Sequence, residues 1–262
     1  KKLGRPVRWV SSRSESFLSD MQARDQSADA SLAFDAGGAV LGMRVRMFTN
    51  LGGYLGQRGA TPPTLPTRII TGVYDIPTLE YEGIAIHTHT VPTCPYRGAG
   101  APEAMLVIER LMDKAARELG VDPAALRRRN LIAKTSMPYQ TAGVSLYDSG
   151  DFAGGMDAAE RLAGVGAFAQ RRKASESRGR LRGLGYATMI EACGYGIADK
   201  AEVACLPDGS IYVRIGSMSN GQSHETVYAQ ILADGLGVTL DRIRVIQGDS
   251  NETPDGWGTG AS

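Results

Sequence analysis

Pro95-Tyr-Arg-Gly-Ala-Gly-Ala-Pro-Glu103 is a glycine turn that carries an arginine and stops at a proline placed to begin a helix. Gly98 and Gly100 lack a Cβ, so the backbone can take positive φ and come close to a bound group. Arg97 offers a planar fork of donors to an anion or an oxo group. On these residues alone two readings stay open: backbone and arginine presented to a cofactor, or an ordinary strand-to-helix connection with an exposed arginine.

Upstream of the turn, Ala30 to Phe34 and Val40 to Phe48 flank Asp35-Ala-Gly-Gly38 and predict a hairpin. A glycine-rich stretch, Leu51 to Gly59, follows, and Pro62, Pro63 and Pro66 argue against regular structure before an extended segment from Tyr81 to Val91. Downstream, Pro102 fits the first helical position and Glu103 the positive end of the dipole. Met105, Ile108, Met112, Ala115 and Leu119 then fall at helical spacing before Gly120, a stripe expected to be core.

Asp122-Pro123 starts a short helix whose Arg127, Arg128 and Arg129 point in different directions, so the triplet is expected to be a solvated turn rather than a binding face. A helix near Met156 to Lys173 runs into a charged segment without apolar anchors, which places a domain boundary near residue 175. Beyond it, strands at Gly183 to Glu191, Ala201 to Leu206 and Ile211 to Ile215, the last two around Pro207-Asp-Gly-Ser210, predict an antiparallel meander. The loop Ser217 to Thr226 leads into a helix marked by Val227, Ile231, Leu232 and Leu236. Its start, with Gly221, Gln222 and Ser223, is a candidate anion site or a plain structural cap. The chain has no GxxxxGK[ST], so triphosphate hydrolysis has no support.

With 262 residues and 42% apolar content, the chain is long enough for two domains around a sizeable core. A formal charge of +1 gives no global field to recruit nucleic acid or an anionic membrane. No window has the length of an apolar membrane span, and Lys1 to Val10 lacks a signal-peptide pattern, so a cytoplasmic protein is expected. Cys94, Cys193 and Cys205 are odd in number and widely spaced, which fits a reducing compartment. Zinc binding by these with His87 and His89 has no supporting spacing, so no metal ligands are assigned. The opening at Lys1, without an initiator methionine, and the alternating Gly256, Gly258 and Gly260 before Ser262 suggest a piece of a longer polypeptide.

Several segments in order resemble the molybdenum-binding large subunit of the xanthine dehydrogenase and aldehyde oxidase family. They are Gly4-Arg-Pro-Val-Arg-Trp-Val10, Asn50-Leu-Gly-Gly-Tyr54, Tyr74-Asp-Ile-Pro77, Tyr96-Arg-Gly-Ala-Gly100 with Pro102-Glu103-Ala104, Arg128-Arg-Asn-Leu131, Gly221-Gln222 with His224-Glu225-Thr226, and Gly258-Thr259 with Ser262. The resemblance implies an α+β chain of two partial molybdopterin-binding domains, mixed sheets with packed helices, over 1–175 and 176–262. It also implies a molybdenum–pterin cofactor, in bacterial relatives commonly molybdopterin cytosine dinucleotide. The implied activity is hydroxylation of an aldehyde or an aromatic N-heterocycle with oxygen from water. Electrons would leave through 2Fe-2S clusters and FAD on partner subunits, in a dimer of heterotrimers.

By position, the resemblance makes Arg97, Gly98, Ala99 and Gly100 the lining of the molybdenum pocket, with Arg97 stabilising developing negative charge. Gly221, Gln222 and Ser223 would contact the pterin, and Gly258, Thr259, Gly260 and Ser262 the pterin or diphosphate. The sequence departs from relatives at Ala101, where a second arginine is usual, and at Ser223, where glycine is usual. Ala99 replaces the aromatic ring of purine-hydroxylating relatives, and Gly98 the copper-holding cysteine of the carbon monoxide-oxidising branch. The family's catalytic glutamate is expected outside this chain, with Glu191 no substitute for it, so the 262 residues alone are expected not to turn over substrate. The departures leave an alternative: a non-catalytic binding or scaffold protein on the same fold.

Overall fold

A computed structural model describes residues 2–191 and 199–260; Cys193 and Ser262 lie outside the described residues. The first helix, α1 (Arg13–Ser19), opens with a capping box in which Ser12 and Glu15 exchange side-chain-to-backbone bonds. The expected hairpin is present and longer than its apolar pattern: β1 (Gln26–Phe34) pairs antiparallel with β2 (Val40–Gly52). Gly38 (φ 84°) closes the turn, and Asp35 accepts from the Ala39 amide at 2.8 Å.

The three prolines do not exclude regular structure. They fall in the first turns of two one-turn helices, α2 (Thr61–Thr64) and α3 (Pro66–Ile69), where an amide N–H would have no helical partner anyway. The extended segment is β3 (Leu79–His87), parallel to β2, so the sheet order is β1-β2-β3. Alternate residues of β2, Met43, Val45, Met47 and Thr49, are buried on one face.

On that face lies α4 (Ala101–Leu119), which buries Ala101, Ala104, Met105, Ile108, Glu109, Met112, Ala115 and Ala116. Leu119, expected in the stripe, is 45% exposed, because the last turn runs past the sheet-facing core. Gly120 (φ 67°) is the left-handed C-cap. Asp122 caps α5 (Pro123–Asn130) as expected, accepting from the Ala125 amide at 2.8 Å.

The arginine triplet is not a solvated turn. Arg127 is fully buried and reaches Glu109 (2.8 Å), Asp113 (2.9 Å) and the Tyr186 carbonyl (3.0 Å), while Arg128 pairs with Asp157 and Glu160. The sequence signal for this burial is Glu109, a carboxylate inside an apolar stripe that cannot stay buried without a cation. Tyr74 and Thr188 donate to its other oxygen at 2.7 and 2.5 Å. Burial first, and the Glu109 charge second, push the Tyr74 hydroxyl well above the ordinary phenol range.

A two-residue ribbon, β4 (Tyr139–Gln140) with β5 (Leu146–Tyr147), precedes the next helical region. Gly164 (φ 59°) divides that region into α6 (Phe152–Ala163) and α7 (Phe168–Glu176), joined by a single 3₁₀ turn. The expected strand at 183–191 pairs with no sheet over its described length. It runs extended, held by Arg182 to the Ser175 hydroxyl, by Arg127 to the Tyr186 carbonyl, and by the Thr188 hydroxyl to Glu109. These ties keep it with the preceding helices, so the compact units part at Glu191/Ala192 rather than near residue 175.

In the second unit β6 (Ala201–Cys205) and β7 (Ile211–Ile215) form the expected antiparallel pair around Gly209 (φ 82°). The meander ends there: α8 (His224–Leu236) carries the chain across to β8 (Ile243–Ile246), which joins β7 in parallel. A parallel neighbour needs a crossover, and the 3.6-residue pattern after Ser223 supplies it. Both three-stranded sheets are therefore mixed, each with packed helices. Of the four apolar residues that mark α8, Val227, Ile231 and Leu236 are exposed and Leu232 is half-buried, and the helix buries His224 and Ala229.

Candidate functional site

The turn before α4 brings Arg97, Gly98, Ala99 and Gly100 together as expected. Gly98 (φ 97°), Ala99 (φ 49°) and Gly100 (φ 110°) are successive left-handed residues, and the turn closes through Ala99 N–H to Tyr96 O at 2.6 Å and Ala101 N–H to Gly98 O at 2.8 Å. Both glycines are also required by packing. A Cβ on Gly98 would stand 2.5 Å from Pro102 Cδ, and one on Gly100 2.7 Å from the Pro62 carbonyl oxygen. Gly100 is the N-cap of α4 and has no side chain to offer, while Pro102 occupies the second helical position.

Arg97 is exposed, and Ala101 is fully buried. A residue not singled out in the sequence, Arg24, lies against the turn: it donates to the Arg97 carbonyl at 2.5 Å and pairs with Glu103 at 3.3 Å. Three residues before Arg97, burial pushes the Cys94 thiol up, which favours its neutral form.

The second candidate turn lies within the second unit. Gly221 has φ 107°, and Ser223 (φ 65°, ψ 41°) is the N-cap of α8 in the left-handed region, with no side-chain cap bond. A serine in this region carries a backbone strain of order 1 kcal/mol that the usual glycine would not. Gln222 folds back, its carbonyl oxygen accepting from the Asn220 amide at 2.6 Å and its amide nitrogen standing 3.0 Å from His224 Nε2. His224 is buried, with its ring 4.9 Å from that of Tyr228.

Gln247, at the end of β8, accepts from the Ser219 amide at 2.8 Å and donates to Glu225. The Thr259 hydroxyl donates to the Met218 carbonyl, which brings the Gly258–Gly260 stretch onto the same loop as Gly221–Ser223. Among the described residues, Gly258 (φ 75°), like Gly221, has no atom within 4 Å of where a Cβ would stand, so the backbone at both is open to approach.

Two models, each described as a molybdopterin cofactor-binding domain, match residues 1–131 and 158–262. The chain belongs to the molybdopterin cofactor-binding family. The resemblance to large subunits of molybdenum hydroxylases therefore holds. This molybdopterin-binding chain is 34% identical to the carbon monoxide dehydrogenase large chain of Hydrogenophaga pseudoflava, covering 98% of itself and 34% of that protein. It is 32% identical to the nicotine 6-hydroxylase large subunit of Paenarthrobacter nicotinovorans, covering 99% of itself and 33% of that subunit.

Among solved structures it resembles quinoline 2-oxidoreductase from Pseudomonas putida 86, with a TM-score of 0.89 at 33% identity over 99% of this chain and 35% of that one. The chain spans about a third of the length of the relatives it matches. Among the described residues no helix is long and apolar enough to cross a membrane.

Proposed function

We propose that the chain is the middle of a molybdenum hydroxylase large subunit, an oxidoreductase acting on an aldehyde or an aromatic N-heterocycle. It would hold the first molybdopterin-binding domain and the start of the second, with the change from one to the other where the two compact units part, after Glu191. The observation that carries this reading is the pair of helices, α4 and α8, each launched from a left-handed turn within a segment matched by a molybdopterin-binding model.

The residues present fit the group. The open backbone at Gly221 and Gly258 and the helix start that Ser223 does not cap suit a phosphate-bearing pterin, which would be held by Gly221, Gln222, Ser223, Gly258, Thr259, Gly260 and Ser262. Bound there, the cofactor supplies the two-electron redox chemistry and the oxygen transfer. Arg97, with Gly98, Ala99 and Gly100, lines the substrate side, and its fixed cation stabilises negative charge developing on oxygen. The cytosine dinucleotide form, partner subunits carrying 2Fe-2S and FAD, a dimer of such heterotrimers and a cytoplasmic location all follow from this assignment.

Gly98 supports an organic substrate over carbon monoxide. A cysteine Cβ at this backbone would collide with Pro102, leaving no room for the copper-holding residue of the carbon monoxide-oxidising branch. The relatives named for nicotine and quinoline support the heterocycle side.

The test uses the full-length subunit in its complex. Stoichiometric molybdenum and released cytidine monophosphate support the reading, whereas a folded complex with neither favours the non-catalytic scaffold that Ala101 and Ser223 motivate. Arg97→Ala is expected to lower kcat by about 10²-fold with molybdenum retained; unchanged turnover would remove Arg97 from the site.

A further inference from the structure

Arg24 is held in an unusual backbone state, φ 63°, by the segment that delivers it. Gln22 bridges in parallel to Thr93, its amide donating to the Pro92 carbonyl at 3.0 Å while its own carbonyl accepts from the Cys94 amide at 2.9 Å. Residues 22–24 therefore run beside 92–96, directly ahead of the glycine turn. From there the Arg24 guanidinium makes three contacts on one small region. It lies over the Tyr96 ring at 5.2 Å, donates through Nη2 to the Arg97 carbonyl at 2.5 Å, and meets Glu103 Oε2 through Nη1 at 3.3 Å.

Three carbonyls of the turn are used internally. Those of Tyr96, Gly98 and Gly100 accept from Ala99, Ala101 and Ala104. The Arg97 carbonyl has no such role, and Arg24 takes it. Orienting that carbonyl orients the peptide plane to which the Arg97 side chain is attached, and the same guanidinium grips Glu103 in the first turn of α4. The Glu103 side chain is only 14% exposed, so the grip is a partly desolvated, charge-assisted one rather than a loose surface pair.

We propose that Arg24 is a positioning residue that clamps the Arg97–Gly100 turn to the start of α4. Its bearing on catalysis rests on the assignment of that turn to the cofactor pocket. Positive φ at Arg24 fits this role: a residue strained on its own account is retained where its side chain has a fixed target.

The experiment compares wild type, Arg24→Met, Arg24→Lys and Arg44→Met in the full-length holoenzyme complex, with molybdenum content, amide hydrogen exchange of the peptide covering residues 96–104, and steady-state kinetics. Arg44→Met is the control, since Arg44 pairs with Glu80 in a largely exposed contact remote in sequence from the turn. For Arg24→Met, exchange in 96–104 is expected to quicken and kcat to fall about tenfold each, the scale of one charge-assisted hydrogen bond, with molybdenum content retained and KM changed less than kcat. Arg24→Lys, which can keep one of the two polar contacts, recovers part of both.

Unchanged exchange in Arg24→Met overturns the clamp. Equal quickening in Arg44→Met also overturns it, because the effect would then be general loosening. Faster exchange with full turnover supports the clamp and sinks the assignment of the turn to the pocket, so the two failures are distinguishable.

Discussion

Helices α4 and α8 are built with the same local grammar and supported very differently. Each begins from a left-handed N-cap without a capping side chain, Gly100 (φ 110°) or Ser223 (φ 65°), and each ends on a left-handed glycine, Gly120 or Gly237, both at φ 67°. Yet α4 buries eight residues against the sheet and α5, whereas α8 buries only His224 and Ala229. Their turns differ in the same sense. Protein atoms crowd the positions a Cβ would take at Gly98 and Gly100, and none among the described residues crowds those at Gly221 and Gly258. One turn is shaped by the chain's own packing, and the other leaves its backbone uncovered. Pre-organisation thus comes from tertiary support in the first case, while in the second the glycines keep a surface open.

The contrast ranks the variants that would break it. Arg127→Met leaves Glu109 buried without its cation and should lower the unfolding free energy of the first unit by about 3–5 kcal/mol, read from urea unfolding; a midpoint equal to wild type would detach α4 from this pair. Gly100→Ala meets both a positive φ and the Pro62 carbonyl, so a loss of about 3 kcal/mol is expected in the same measurement. Gly221→Ala meets only the backbone term, about 1–2 kcal/mol, with a fall in bound molybdenum per folded molecule; equal molybdenum would remove Gly221 from the cofactor surface. Ser223→Gly relieves strain but gains unfolded-state entropy, for a net stabilisation of about 0.5 kcal/mol by thermal unfolding.

Local signals carried much of this in the sequence. The Asp35–Gly38 turn, the Pro102 start, the Asp122 cap and the Gly120 stop each act within a few residues, and each holds in the structure. What was illegible depends on partners far along the chain. Arg127 reads as solvated until its place opposite Glu109 is known, and 183–191 reads as a strand because its apolar residues do not reveal that side chains, not a ladder, hold it. The parallel arrival of β8 is likewise set by where α8 returns the chain. Of the candidate site, the turns at Arg97–Gly100 and Gly221–Ser223 could be read from glycine placement. Arg24, held at positive φ without being glycine, left no mark in its local pattern.

The manner in which Arg127 and Glu109 are satisfied sets a rule for cutting this polypeptide. Two of their partners, the Tyr186 carbonyl and the Thr188 hydroxyl, arrive from a stretch with no sheet of its own. A version trimmed after Ser177 would keep every helix and strand of the first unit, yet it would open a charged pair to solvent at the heart of α4. For expression, crystallography or domain grafting, the end of that unit is therefore no earlier than Glu191, and the seemingly dispensable tail belongs to the core.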